Sequence, residues 1–106
     1  MMSEQIDPRL LLKQALVKER MMSFELSTID DDFYKIIRNW MANLVDDKTS
    51  METILSTLIQ IRKNKIATLA VSLNTDPEIR EKMSTEEKIY FDNMANATIE
   101  FKESVM

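Results

Sequence analysis

The chain has 106 residues and a net charge of −4, with 44% hydrophobic and 30% charged residues and no glycine, histidine or cysteine. This mixture suits one small globular domain rather than a disordered chain. It excludes disulfides and the usual imidazole and thiol chemistry of enzyme sites, and it opposes reliance on nucleic-acid affinity, which normally needs a basic domain.

The first predicted helix starts at Asp7-Pro8, an N-cap followed by proline at the first helical position. It should run from Pro8 to about Met22. Leu10, Leu11, Leu12, Ala15, Leu16, Val17, Met21 and Met22 spread nearly all round it. Such a helix is buried on more than one side, either in its own core or between that core and a partner. Ser23 to Ile29 then forms a connector with apolar anchors at Phe24, Leu26 and Ile29.

Asp30-Asp31-Asp32 precedes the second helix and supplies an N-cap with negative charge at the positive end of the helix dipole. Three carboxylates also suit a cation, but no second ligand group with loop spacing follows. Phe33, Ile36, Ile37, Trp40, Met41, Leu44 and Val45 repeat at helical spacing, so this amphipathic helix should reach about Val45.

Thr49 followed by Glu52 has the spacing of a capping box and opens the third helix, expected to run to about Asn74. Its stripe includes Met51, Ile54, Leu55, Leu58, Ile66, Leu69 and Leu73. Arg62 falls inside that apolar face and Lys65 on its edge. A charge there is costly unless it is paired or reaches water. Two readings follow. Arg62 and Lys65 form a buried or interface ion pair with a carboxylate, for which a planar guanidinium is suited, or Arg62 lies flat along the stripe's edge. Arg62, Lys63 and Lys65 also make a small basic cluster that phosphate can attract.

Asp76-Pro77 stops the third helix and opens a short helical turn through Glu78–Lys82. Ser84 and Glu87 have capping-box spacing and start the last helix, expected from Thr85 to near Ser104. Tyr90, Phe91, Met94, Ala97, Phe101 and Val105 form its main face, and Ile89 and Ile99 fall outside it. No Gly or Asn cap follows this helix, which fits either a piece of a longer protein or a terminus that frays. The fold class is therefore all-α, a bundle of four principal helices with no sheet.

With no glycine, easy routes to left-handed turns are missing. No apolar run approaches the roughly 18 residues that cross a bilayer. Met1-Met2-Ser3-Glu4-Gln5 lacks the basic start and apolar core of a secretory signal. The lack of cysteine fits a cytoplasmic protein, which is the expected location. The two-sided first helix and the surplus apolar residues of the last predict a homo-oligomer, dimer or tetramer. Leu12, Leu16, Ile89, Phe91 and Ile99 are its expected subunit interface. No catalytic, cofactor or metal residue is assigned. A carboxylate metal centre in a helix bundle needs histidine partners that the chain lacks.

Leu26-Ser27-Thr28-Ile29-Asp30-Asp31-Asp32-Phe33-Tyr34 resembles the segment that opens a core helix in GINS subunits. Ile61-Arg62-Lys63-Asn64-Lys65-Ile66 is similar to that family's central helix, and Ser84-Thr85-Glu86-Glu87-Lys88-Ile89-Tyr90-Phe91 to the opening of its last helix. Order and spacing agree across nearly the whole chain. The resemblance implies that residues 1–106 are the helical domain of a non-catalytic scaffold in DNA replication. It further implies an archaeal arrangement whose C-terminal β-rich domain is absent from this chain. The implied partners are other GINS subunits or a second copy, the MCM helicase and a RecJ-like protein, with weak or no direct DNA binding and no membrane. A chromosome-associated role at replication forks follows from the same resemblance. The rival reading from the residues alone is a generic helical adaptor or regulator.

Overall fold

The computed structural model describes residues 7–106. Its helices are α1 (Pro8–Met21), α2 (Phe33–Ala42), α3 (Lys48–Val71), the short α4 (Pro77–Glu81) and α5 (Thr85–Val105). No strand occurs among the described residues. The protein is all-α, with four principal helices and one helical turn before the last. Met1–Gln5, which carry no secretory-signal pattern, lie outside the described residues.

Local chemistry explains most helix starts. The Asp7 carboxylate accepts from the Arg9 amide at 3.0 Å, and Pro8 supplies the first helical residue. Asp76 and Pro77 repeat this device, with the Glu78 amide donating to Asp76 at 3.0 Å. Ser84 and Glu87 complete a reciprocal capping box, each side chain bonding the other's backbone amide at 3.2 Å.

Three local expectations are corrected. Thr49 and Glu52 form no capping box; α3 starts two residues earlier, its N-cap being Asp47 in a left-handed conformation (φ 64°). Asp32 makes no side-chain cap for α2. Instead Asp31 is drawn away to Lys88 at 2.9 Å. The second helix ends at Ala42 because its last turn tightens. There the Asn43 and Leu44 amides bond carbonyls only three residues back.

The third helix stops at Val71 without glycine. Leu73 adopts φ 57°, its amide bonds the Ala70 carbonyl at 3.0 Å and the Asn74 amide bonds Leu69 at 3.1 Å. This is a Schellman termination with leucine in the left-handed place. The absent glycines therefore did not abolish left-handed turns. Asp47 and Leu73 take those positions, the leucine at a steric cost of about 1–2 kcal/mol.

The central helix, α3, packs against both α1 and α5, while α2 packs on α1. Two apolar clusters result. Leu12, Leu16, Phe33, Ile37, Met41, Met51 and Leu58 join α1, α2 and the first half of α3. Leu26, Ile66, Ala70, Met83 and Phe91 join the second half of α3 to α5 and the connectors. Each large side chain so buried contributes roughly 1.5–3 kcal/mol. On α3, Arg62 sits one turn from Leu58 and one from Ile66, at the seam between the clusters.

The connectors are tied down by backbone bonds. The Ile29 amide donates to the Lys82 carbonyl at 3.1 Å, and the Thr85 amide to Asp31 at 3.0 Å. The radius of gyration, 15.8 Å, exceeds the roughly 13 Å of a compact chain of this length. The last turns of α5 account for part of this, since Ile99, Phe101 and Val105 are all exposed.

Candidate functional site

The distinctive centre of the domain is a buried ionic network around Arg62. The Arg62 side chain is wholly buried. Its Nε and Nη2 donate side-on to the two oxygens of Glu87, both at 2.8 Å. Nη2 also donates to the Lys82 carbonyl at 3.1 Å. Nη1 donates to Glu19 Oε1 at 2.7 Å and to the Ser27 carbonyl at 2.8 Å, with Ser27 Oγ at 3.1 Å. A guanidinium has five N–H donors, and these acceptors are enough to occupy all of them.

Lys65 extends the network one turn on. Its Nζ lies 2.7 Å from Glu19 Oε2, 2.9 Å from the Glu19 carbonyl, 2.6 Å from that of Met22 and 2.9 Å from that of Glu25. Carbonyls at the end of α1 lack helical partners. Lys65 serves them with a positive charge at the negative end of the helix dipole. The Ser27 hydroxyl donates to Glu19, and the Tyr34 hydroxyl donates to Glu87. Two cations and two carboxylates thus balance in a largely dry centre. Among the described residues no buried side-chain N or O lacks a partner.

The electrostatics agree with ion pairing. Burial alone would raise the Glu19 pKa, but Lys65, Ser27 and Arg62 outweigh it and hold it below the usual carboxylate value. Burial likewise opposes the Arg62 charge, and Glu87 and Glu19 more than restore it. Burial, and then the adjacent Glu87 carboxylate, push the Tyr34 phenol above its usual range. These contacts clamp helices together, and the Arg62 and Glu19 side chains at their centre are fully buried.

The clamp has a specific reach. Arg62 on α3 bonds Glu19 of α1, Ser27 of the first connector, Lys82 after α4 and Glu87 of α5. A model described as the GINS complex subunit Psf2/Psf3-like N-terminal domain matches residues 12–106. The chain belongs to the GINS family. It is thus a helical domain of a DNA replication complex subunit. No curated protein and no solved structure matches the chain. In this GINS domain the matched residues include every side chain of the clamp.

The expected interface residues separate into two groups. Leu12, Leu16 and Phe91 are buried in the domain's own clusters and have little surface to offer a partner. On α1 the Leu12–Ala15–Leu16–Glu19 face turns inward to α3. Ile89 and Ile99 remain exposed at 58% and 42%. The basic cluster is also smaller at the surface than in sequence. Arg62 and Lys65 are consumed by the network, leaving Lys63 exposed.

Glu19, Ser27, Tyr34 and Glu87 were not singled out as network members from sequence. Glu19 had a usable signal, lying three, four and seven residues after Leu16, Ala15 and Leu12 on one helical face. A groove of about 680 Å³ opens beside the network, with Met41, Leu55, Ile59, Ile66 and Tyr90 among its walls. Among the described residues no group of three or more metal-ligating side chains converges, and no helix is long and apolar enough to cross a membrane.

Proposed function

We propose that this GINS domain is part of a non-catalytic scaffold linking the MCM replicative helicase to a RecJ-like or similar protein at replication forks. The supporting observation is the family match over residues 12–106, combined with a buried clamp whose charges are all committed to holding helices. A scaffold works by presenting fixed surfaces, and a saturated ionic centre favours one fixed arrangement. A small β-rich domain accompanies the helical domain in the complete archaeal-type protein. Assembly with other GINS subunits, or self-association into a dimer or tetramer, uses surfaces left exposed, Ile89 and Ile99 among them.

The excess of acidic residues opposes phosphate attraction, so direct DNA binding is weak or nil. The test is a pull-down with the full-length protein at low salt, where polar contacts between proteins are strongest. Recovery of helicase or RecJ-like partner, without nucleotide hydrolysis by the GINS protein itself, supports this reading. Recovery of neither favours a generic helical adaptor acting as a homo-oligomer.

A further inference from the structure

The outward face of α1 has a pattern that the fold does not use. Leu10, Val17 and Met21 are 49%, 56% and 77% exposed. At about 100° per residue they fall within an arc of roughly 40°, directly away from the buried Leu12, Ala15 and Glu19. Lys13 and Arg20 flank this stripe on one side and Lys18 on the other, all exposed. No ion pair engages these three cations among the described residues. Glu19 is the one acidic residue of α1, and it is buried in the Arg62 network. The face is therefore apolar along its centre and every charge at its edges is basic, with uncharged Gln14 between the stripe and Lys18, in a chain whose net charge is −4.

We infer that the outer face of α1 docks an acidic amphipathic helix of a different protein chain. Spacings of seven and four residues along the stripe suit a helix laid alongside, its apolar side chains on Leu10, Val17 and Met21. Flanking carboxylates on that helix would meet Lys13, Lys18 and Arg20. Nucleic acid has phosphates for the cations but no use for the apolar centre. A lipid surface wants a broader apolar face and a denser basic one than three cations supply. A second copy is a poorer occupant, because the acidic arc of α5 around Glu86, Glu100 and Glu103 offers the single exposed apolar side chain of Ile89, with Asn93 and Asn96 beside it where a stripe needs further apolar contacts. The inference stands on this surface and is independent of the replication role.

The probe is a fluorescent synthetic helix of roughly 18 residues, about five turns, with leucines at heptad spacing and glutamates on its flanks. Its counterpart carries lysine in place of every glutamate. Anisotropy should show saturable binding of the acidic peptide below about 100 µM, weakened by raising the salt, and no binding of the basic one. K13E/K18E should weaken binding at least about tenfold, and so should V17D, which removes the apolar centre instead. All three positions are exposed, so unchanged circular dichroism and melting should show that each variant folds. Lack of binding by the acidic peptide overturns the inference, as does equal binding of the basic peptide. Tighter binding to phosphatidylserine vesicles or to single-stranded DNA, lost in K13E/K18E, assigns the face to those ligands and also overturns it. Self-association that V17D abolishes would give the face to a second copy and overturn it as well.

Discussion

Arg62 and Glu87 meet side-on, Nε to Oε2 and Nη2 to Oε1, both at 2.8 Å, across the α3–α5 boundary. Glu87 is at the same time the third residue of its own helix and closes the capping box with Ser84. One carboxylate therefore sets where α5 begins and where it docks. The arrangement joins local structure to tertiary packing through a single side chain.

Removing Arg62 should be severe. In Arg62→Ala, Glu19 and Glu87 are left facing each other without their shared cation. Breaking a buried pair from one side typically costs about 3–5 kcal/mol. Urea unfolding followed by circular dichroism should show a loss of that size, with Arg62→Lys intermediate because it cannot grip Glu87 with two parallel bonds. A loss under about 1 kcal/mol for Arg62→Ala would mean that the network contributes little.

Glu19 predicts an acid limb. Its pKa in the folded chain lies below the ordinary value of 4.5. The unfolded chain thus takes up the proton first as pH falls. The stabilisation is fully present above the unfolded pKa and is lost as pH falls through the folded one. Stability should be flat from pH 7 to about 5 and then decline, by at most about 1.4 kcal/mol per pH unit for this one group. Asp92 is also lowered by Arg80, but that pair is exposed and adds little. Glu19→Gln should be less stable at neutral pH and show a shallower decline. An identical acid limb in the variant would assign it to other groups.

Lys65 should act locally. It holds the carbonyls of Glu19, Met22 and Glu25, where the chain leaves α1. Lys65→Met removes those bonds and one partner of the Glu19 carboxylate, for a loss of about 1.5–3 kcal/mol. Hydrogen exchange should quicken in residues 23–29 more than in α2. Uniform change, or none, would show that the connector is held by other contacts.

The sequence carried the fold because α2, α3 and α5 each have an apolar stripe, and α1 and α5 begin at legible cap residues. It also marked Arg62, whose charge sits wrongly for a pure stripe. The partners were harder to see. Glu87 was accounted for as a cap, and nothing local says that the same carboxylate also turns to α3. Glu19 was hidden by the many apolar residues of α1, which spread round the helix and blurred its inward face. Ser27 lies in a connector without periodicity, so its role depends wholly on where α3 passes. Leu12, Leu16 and Phe91, expected at a subunit interface, lie in the domain's own apolar clusters.

Leu73 offers a test by sign. It closes α3 at φ 57°, in a place glycine usually fills. Leu73→Ala and Leu73→Gly remove nearly the same packing, so their difference isolates the backbone. At an ordinary helical or extended position alanine is the more stable of the two by about 0.4–1 kcal/mol, through the unfolded chain. Here the left-handed conformation penalises any Cβ by about 1–2 kcal/mol. The order should therefore reverse, with Leu73→Gly more stable than Leu73→Ala by up to about 1.6 kcal/mol in paired urea melts. Alanine at or above glycine would show that residue 73 leaves the left-handed region in solution. The Schellman bonds from Leu73 and Asn74 to the end of α3 could not then persist.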